Sequence, residues 1–443
     1  MGKIGKNLSS SRIIILGFAG AVLLGSLLLM LPFATREGEG ASFADAVFTA
    51  VSAVCVTGLV VQDTAAYWSA FGQAVILLLI QIGGMGVVTV AVAVFVASGK
   101  RISLKERSTM QEAISANQVG GIVRLTGFII KAAACFELLG ALVMAPAFCR
   151  EFGLARGMWY AVFHSISAFC NAGFDLMGEK TPYSSLTHFA ASPSINLTII
   201  CLIIIGGIGF LTWEDIRTKK FRIRKYRMQT KVILVTTGVL ILLPALYFFL
   251  YEFRDMPLGQ RVLCAMFQAV TPRTAGFNTV DFGRFGGNAI GILVLLMLVG
   301  GSPGSTAGGF KTTTLAVMLS SAVSVFRRRE HVHFFGRRID DVTVQSAMAV
   351  LSMYLILFLG GGFLISHLEG LPLSECLFES ASAVATVGLT LGITPGLGLA
   401  SRAVLILLMY IGRVGGLTLI FAALPGRRQG ATERLPQEKL NVV

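Results

Sequence analysis

Residues 48–59 read Phe-Thr-Ala-Val-Ser-Ala-Val-Cys-Val-Thr-Gly-Leu, and related stretches follow at 163–174, 267–277 and 378–389. Three of the four have a phenylalanine, a serine four residues later, a glycine six residues after the serine, and then leucine or phenylalanine. The copy at 267–277 has threonine for serine and is one residue shorter before its glycine. A recurring pattern of this kind predicts a chain built from four equivalent units.

Long apolar runs separate these stretches in a very hydrophobic chain. Charged residues are 14% of the 443 residues and hydrophobic residues 54%, with a mean hydropathy of +0.76, whereas soluble domains carry roughly 25% charged residues. A membrane-crossing helix needs about 20 mainly apolar residues. Runs of that length include 13–33, 71–98, 232–250, 344–365 and 404–424. The sequence therefore predicts an all-α integral membrane protein.

Each related stretch predicts a half-helix. Residues 45–54 would make roughly 15 Å of helix, about half of the hydrocarbon core. A short helix that ends in a glycine-containing turn between two spanning helices is a re-entrant loop, whose irregular backbone is tolerated at membrane depth only against protein or a watery cavity. The predicted half-helices begin at Asp45, Trp159, Gln260 and Leu373, and glycine pairs follow in the next helix at 83–84, 206–207, 300–301 and 415–416.

The predicted architecture is therefore four helix–pore loop–helix repeats around one pore. It has eight spanning helices and four half-helices. The predicted repeats cover residues 12–98, 118–213, 231–326 and 343–424, and residues 425–443 form a cytoplasmic tail.

Basic residues fix the predicted orientation. The net charge is +14, and the excess lies in short loops at 100–107, 217–231 and 327–338 rather than in a nucleic-acid-binding domain. This is the positive-inside distribution, so these loops and both termini are predicted to be cytoplasmic, in a multi-pass protein of the cell membrane. The first apolar run exceeds the roughly 7–15 residues of a signal-peptide core, so it is predicted to be a spanning helix.

Other functional classes find little support in the residue pattern. The seven cysteines form no C-x-x-C pair, and the five histidines are scattered, with no H-E-x-x-H. These features predict neither a metal site of the usual spacing nor an enzyme. Carboxylates near the predicted outer mouth would instead concentrate cations; they are Asp45, Asp63, Asp175, Glu179, Asp281, Glu375 and Glu379.

The glycine that ends each stretch predicts a selectivity filter. A filter needs backbone carbonyls that replace the water around an ion, and glycine adopts the required backbone angles at little steric cost. The fourth stretch contains Thr-Val-Gly, which matches the T-V-G of potassium-channel filters. The predicted ion-binding residues are Val56, Thr57, Gly58, Asn171, Ala172, Gly173, Thr274, Ala275, Gly276, Thr386, Val387 and Gly388.

On these four loops and their order, the chain resembles the Trk/Ktr/HKT superfamily of potassium transporters over residues 12–425. It looks most like the Ktr-type membrane subunit. In that family a glycine in every loop accompanies potassium preference, and a serine in the first loop accompanies sodium conduction. The resemblance implies a homodimeric membrane part and a separate cytoplasmic ring of RCK-type nucleotide-binding subunits. Pro272 in the third loop is a local departure from the pattern.

Residues 300–312 hold a second candidate site. A proline and five glycines interrupt an apolar helix there, so it should break. The segment is not a nucleotide-binding P-loop, because Phe310 separates Gly309 from Lys311 and no strand precedes it. The resemblance implies an intramembrane gate under the filter, with Arg413 beside it. The predicted gate residues are Gly304, Ser305, Thr306, Ala307, Gly308, Gly309 and Arg413.

The predicted function is potassium uptake through a gated pore, without an organic cofactor. The transported ion is potassium, with sodium as a second candidate. The alternative is a sodium-coupled or sodium-conducting secondary transporter, since those proteins also have broken helices. Their repeats are usually inverted and two-fold, whereas the four copies here read as parallel.

Overall fold

The computed structural model describes residues 9–91, 104–114, 121–179 and 181–415. Within these residues the chain is predominantly helical, with one two-stranded sheet. The predicted tail at 425–443, Gly416 and part of the basic cluster at 100–107 lie outside the described residues. In chain order the elements are α1 (Ser10–Leu29), α2 (Phe43–Val54), α3 (Thr64–Tyr67), α4 (Ala70–Met85), α5 (Leu104–Ile114), α6 (Ile122–Phe152), α7 (Leu154–Phe169), α8 (Pro193–Gly207), α9 (Phe210–Lys219), α10 (Met228–Tyr247), α11 (Leu258–Val270), α12 (Gly287–Leu298), α13 (Thr312–Phe326), β1 (His333–Phe334), β2 (Arg337–Arg338), α14 (Asp341–Glu369), α15 (Leu373–Val384) and α16 (Leu399–Val414).

Four short helices, α2, α7, α11 and α15, carry the related stretches and are the half-helices. They have 12, 16, 13 and 12 residues, so they are longer than the ten predicted. Helix α2 begins at Phe43 because the Ser42 side chain caps it by accepting a hydrogen bond from the Asp45 amide. Helix α7 begins at Leu154 rather than Trp159, because Gly153, at φ 79°, ends α6 and starts α7 directly.

The repeated phenylalanine anchors each half-helix in the core. Phe48, Phe163, Phe267 and Phe378 are at most 1% exposed. Within a membrane, van der Waals packing rather than exclusion of water favours such a buried position. The repeated phenylalanine therefore has the same packing role in all four copies.

Membrane crossings only partly match the predicted eight. Among the described residues, four helical segments are long and apolar enough to cross alone: Ser10–Leu29, Ile122–Phe152, Met228–Glu252 and Asp341–Glu369. The pair α8 and α9, bent by 96° at their junction, passes the same test together and is a fifth crossing if it is counted as one broken span. The second helix of each repeat is short or broken, so the described residues support only four or five of the eight predicted spans.

Glycines explain these interruptions in three repeats. Gly86, Gly209 and Gly415 have φ of 84°, 93° and 89°, a conformation that ends α4, separates α8 from α9, and ends α16. Glycine takes it with little steric penalty. Three residues earlier, a Cβ at Gly83, Gly206 or Gly412 would overlap a carbonyl oxygen at the end of the half-helix in the same repeat: that of Val54, Phe169 or Val384.

One sequence assignment is thereby corrected. The predicted fourth glycine pair was 415–416, but Gly412 occupies the place of Gly83 and Gly206. Gly415 instead matches the positive-φ glycines Gly86 and Gly209. A Gly-Gly motif could not reveal this difference, because the glycine that packs closely and the glycine with positive φ lie three residues apart in each of these helices.

Ion pairs connect the first repeat to two others. Arg402 on α16 contacts Asp45 on α2 at 3.0 Å, which joins the last repeat to the first. Arg36, after α1, contacts Glu179 in the second repeat at 2.7 Å. These contacts lie on the side from which the half-helices enter.

Candidate functional site

The backbone alternates in the same way in all four predicted filter loops. Two residues before each filter glycine, a non-glycine residue has positive φ, which is uncommon and costs energy. The glycine itself also has positive φ. The pairs are Val56 (57°) and Gly58 (89°), Asn171 (59°) and Gly173 (70°), Thr274 (62°) and Gly276 (79°), and Thr386 (54°) and Gly388 (91°). Alternation of this kind can turn successive carbonyls toward one side of the chain, which coordination of an ion would require.

The four glycines form a closed ring. A Cβ at Gly173 would lie 2.7 Å from the carbonyl oxygen of Ala275, and one at Gly276 would lie 2.5 Å from that of Val387. A Cβ at Gly58 or Gly388 would overlap the carbonyl oxygen of Ala172 or Thr57, respectively. Each loop thus contacts the next in the order first, second, third, fourth and back to first, with no room for a side chain at any glycine.

The third loop is one residue shorter than the others, and this difference is accommodated before the chain reaches the ring. In the other loops the amides of Thr57, Ala172 and Val387 donate to the carbonyl five residues earlier. In the third loop, Ala275 donates to Thr271, only four residues earlier. The alternation is restored by Thr274, so Pro272 does not disturb this quadrant's backbone.

The serine or threonine of the repeat ties each loop to its half-helix. The hydroxyls of Ser52 and Ser382 accept hydrogen bonds from the Gly58 and Gly388 amides at 3.1 and 3.0 Å. Ser167 donates to the Phe174 carbonyl at 2.7 Å, and Thr271 donates to the Phe277 carbonyl. The sequence shows the repeated serine or threonine but not its hydrogen-bond partner, because that partner depends on the path of the loop.

A cavity of about 200 Å³ opens above the ring, and carboxylates line it. Asp63 accepts from the amides of Ala65, Ala66 and Tyr183, while Asp281 accepts from the Gly283 amide. Burial, and the nearby Asp63 carboxylate, raise the pKa of Asp175 to about 7, although the Met177 amide donates to it at 2.9 Å. The predicted carboxylates Asp63, Asp175 and Asp281 therefore meet at this mouth.

The other predicted outer carboxylates lie apart from this cavity lining. Asp45 and Glu179 are held in the ion pairs with Arg402 and Arg36. Glu379 is fully buried and hydrogen-bonded within the fourth repeat. In this structure these three carboxylates therefore make ion pairs or hydrogen bonds within the protein and do not line the mouth.

Below the ring, residues 299–311 separate α12 from α13, so the predicted break is present. The segment is fastened to the second repeat. The amides of Ser302 and Thr306 donate to Gly207 and Gly206 at 2.9 and 3.2 Å. The Thr306 hydroxyl lies 3.0 Å from the Asn171 side-chain oxygen, which joins the predicted gate to the second filter loop.

Arg413 reaches the same segment. Its guanidinium donates to the carbonyls of Thr306 and Gly83, and to that of Gly84 at 3.3 Å. Of the predicted gate residues, Ser305 makes no side-chain hydrogen bond, and its hydroxyl is buried. Arg413 therefore bridges the interrupted segment to α4 through backbone carbonyls.

Lys311 is a second cation there, and the sequence assigned it no role. Its ammonium donates to the carbonyls of Ala307 and Gly308 at 2.9 and 3.1 Å. Its position after a glycine-rich segment suggested only a false P-loop, whereas the folded loop curls around the ammonium group. Both cations thus hold carbonyls that the broken helix leaves free.

Residues 300–304 also read G-x-S-x-G, the pattern of a hydrolase nucleophile elbow. That elbow is a strand-to-helix turn, whereas this serine lies between two helices. The Ser302 hydroxyl lies 3.0 Å from that of Thr312. The match is therefore fortuitous.

A second cavity, of about 360 Å³, lies on the far side of the segment from the ring. Gly304, Ser305, Lys311 and Arg413 line it, together with Glu112 of α5. The end of α5 touches the segment directly, because a Cβ at Gly304 would overlap the carbonyl oxygen of Ile114. Residues 304–309 contact the second and fourth loops of the ring, at Asn171 and Thr386, and line this cavity on their other side.

Comparisons with known proteins show the family of the chain. The sequence matches the TrkH family, described as cation transport proteins, over residues 23–432. It is 37% identical to the potassium/sodium uptake protein NtpJ of Enterococcus hirae, over 99% of this chain and 98% of that protein. It is 38% identical to the Ktr system potassium uptake protein B of Bacillus subtilis, over 93% and 92%.

The fold has a solved counterpart. The crystal structure of the potassium transporter TrkH from Vibrio parahaemolyticus superimposes with a TM-score of 0.76, covering 96% of this chain and 87% of that one, at 20% sequence identity. This likeness supports the architecture alone. The family match covers most of the sequence, and the relatives align along nearly their whole length. The chain is a multi-pass membrane protein that belongs to the TrkH family of cation transport proteins.

Proposed function

We propose that the chain is a potassium uptake pore whose selectivity filter consists of the four loops ending at Gly58, Gly173, Gly276 and Gly388. The ring of positive-φ backbone carries this proposal. Its carbonyls would replace the hydration shell of a potassium ion. The half-helices end at the ring, and a helix C-terminus bears a partial negative charge that favours a cation.

Two relatives bear on the choice of ion. The Bacillus subtilis relative is named a potassium uptake protein, and the Enterococcus hirae relative a potassium/sodium uptake protein. We favour potassium, because the filter has glycine in every loop. The second of these names supports the alternative, a transporter that conducts sodium or is coupled to it.

The segment 304–309 serves as the gate in this proposal, with Arg413 as its latch. The argument is positional: the segment lies between the ring and the cavity of about 360 Å³, and Arg413 holds its Thr306 carbonyl. The positive charge under the ring would also repel a passing cation. A gate held by a few hydrogen bonds can be released by a partner that binds one state more tightly.

A separate cytoplasmic protein is the proposed source of that control. Several relatives are named components of a Ktr system, which supports a second component. We propose an RCK-type nucleotide-binding ring and a homodimeric membrane part. Exposed apolar side chains lie among the arginines of the basic loops and suit protein docking: Phe221, Ile223, Phe326 and Phe335.

Ion flux in proteoliposomes tests the function. Vesicles with purified protein should take up potassium and rubidium faster than sodium under matched gradients, and empty vesicles supply the background. Equal potassium and sodium flux would contradict the filter. Potassium flux that requires a sodium gradient would favour the coupled alternative.

A further inference from the structure

The residue after each repeated phenylalanine is polar and buried. These residues are Thr49, His164, Gln268 and Glu379, each at most 1% exposed. They belong to four different residue types, so the sequence repeat does not reveal them. A buried polar group is costly unless it is hydrogen-bonded, so each of them calls for a partner.

In the fourth repeat, Glu379 holds the chain just beyond the filter. Its carboxylate accepts from the Leu391 amide at 3.2 Å and from the Thr394 hydroxyl at 2.8 Å. The Thr390 hydroxyl donates to it as well. Leu391 is the third residue after Gly388, so Glu379 fixes the outer exit of this loop.

In the second repeat, His164 makes the equivalent contact. Its Nε2 accepts from the Leu176 amide at 3.3 Å, and Leu176 is the third residue after Gly173. Its Nδ1 lies 2.7 Å from the Tyr160 carbonyl. An amide can only donate and a carbonyl only accept, so this ring is neutral with its proton on Nδ1.

The third repeat has a longer contact of another kind, in which the half-helix side chain donates to a hydroxyl, and the first repeat lacks a contact from this position. Gln268 donates to the Thr279 hydroxyl at 3.5 Å, and Thr279 is the third residue after Gly276. Thr49 is too short to reach that place, and its buried hydroxyl has no hydrogen-bond partner. Three of four quadrants thus brace the third residue after the filter glycine from one position of the half-helix.

We infer that His164, Gln268 and Glu379 are positioning residues for ion selectivity, which hold the outer end of the filter against its half-helices. The inference rests on the proposed function, since it presumes that the ring is the filter. The hydroxyl of the repeat fixes the loop at or next to the glycine, and the second contact fixes it three residues later. With both ends held, the carbonyls cannot easily move to suit a different ion.

Variants at residue 379 separate hydrogen bonding from charge. Glu379→Leu removes the acceptor, and Glu379→Gln keeps an oxygen for the Leu391 amide. Glu375→Gln removes the same charge one turn earlier on α15. We expect the potassium-to-sodium flux ratio to fall by roughly threefold to tenfold in Glu379→Leu, and to stay near wild type in the other two.

The same vesicles test the proposed function independently through Gly58→Ser. If wild type is selective and Gly58→Ser is not, but Glu379→Leu keeps the wild-type ratio, the positioning role is wrong while the filter stands. If Glu379→Gln loses selectivity as fully as Glu379→Leu, or Glu375→Gln loses it, charge rather than hydrogen bonding is responsible and the inference fails. If wild type does not discriminate between the ions, the proposed function fails and the inference with it.

Glu379→Leu leaves buried donors unpaired, so its folding is checked by thermal unfolding in detergent. Should it not fold, Gln268→Met decides, because it keeps an unbranched side chain of the same length and loses only the long bond to Thr279. A lower flux ratio in folded Gln268→Met then supports the inference. An unchanged ratio overturns it.

Discussion

Gly58 has no space for a side chain, because a Cβ would overlap the Ala172 carbonyl oxygen in the neighbouring loop. Its φ of 89° is also unfavourable for a residue with a Cβ. Gly58→Ser should therefore displace one carbonyl of the ring and lower the potassium-to-sodium flux ratio by roughly tenfold, which equals about 1.4 kcal/mol. Flux of both ions in proteoliposomes measures this ratio.

Gly238→Ser is the matched control for that variant. Gly238 lies in α10, and a Cβ there would meet no heavy atom within 4 Å, so the same chemical change should leave selectivity intact. If Gly58→Ser retains the wild-type ratio, Gly58 does not belong to the filter. If both variants lose it, the effect is not specific to the ring.

Asp175 gives the outer mouth a pH dependence. Burial raises its pKa to about 7 in the folded protein, from an ordinary value of 3.8, so the folded state holds this proton more tightly than the unfolded state does. Its contribution to stability is therefore fully present below about pH 3.8 and is lost as the pH rises through 7. Asp175→Asn does not titrate, so its melting temperature relative to wild type should rise between about pH 5 and about pH 9.

Thermal unfolding of both proteins in detergent across this range measures that difference. Asp281→Asn is the control, since Asp281 lines the same mouth but is exposed. If the difference in melting temperature between wild type and Asp175→Asn is the same at every pH, the raised pKa of Asp175 is wrong.

The residue scale also separates what a sequence can predict from what it cannot. The filter glycines were identifiable because a steric requirement leaves the same residue at the same place four times. The positive φ of Val56 and Thr274 had no such signal, since neither residue type favours that conformation. Polar contacts such as that of His164 could not be predicted from the sequence, because their partners lie on loops whose paths are known only from the structure.

Among the elements, the interrupted segment between α12 and α13 should control flux. Deleting residues 304–309 removes the barrier between the ring and the lower cavity, so potassium flux should rise and depend less on any cytoplasmic partner. Arg413→Ala should raise flux in the same direction, because it frees the Thr306 carbonyl and removes a positive charge under the ring. Initial rates in proteoliposomes, at equal amounts of folded protein, measure both effects.

Arg217→Ala is a suitable control, because Arg217 stacks on Phe128 and does not line the lower cavity, so its loss should not change the rate. Arg413→Lys keeps the charge but loses the forked donor geometry, so an intermediate rate is expected. A folded deletion variant that transports no faster than wild type would show that this segment is not the gate.

At the same scale, breaks were easier to predict than helix ends. Proline and five glycines gave the interruption at 300–312 directly from intrinsic helix propensity. The ends of α4 and α16 depend instead on single glycines at 86 and 415, which resemble the packing glycines three residues before them. Composition cannot distinguish a glycine required for close packing from one required for positive φ.

For the whole molecule, the arrangement of four repeats around one pore followed from the repeat, but the side-chain contact that joins the last repeat to the first did not. The contact between the last and first repeats joins residues more than 350 positions apart, and the repeat pattern contains no information about such pairs. Arg402 and Asp45 form this contact at 3.0 Å, with side chains only 20% and 13% exposed. Their pairing is a property of the assembled ring.

This closure should be measurable as coupling between the two side chains. Arg402 also donates to the Leu397 and Pro395 carbonyls, so Arg402→Ala should lower the melting temperature more than Asp45→Asn. A double-mutant cycle removes those separate losses, and we expect a coupling of about 1 kcal/mol for a pair that is largely shielded from solvent. The Arg36–Glu179 pair, whose arginine is 44% exposed, should give a smaller coupling in the same experiment, because exposed pairs contribute little. Additive effects of Arg402→Ala and Asp45→Asn would mean that the first and last repeats are held together by helix packing alone.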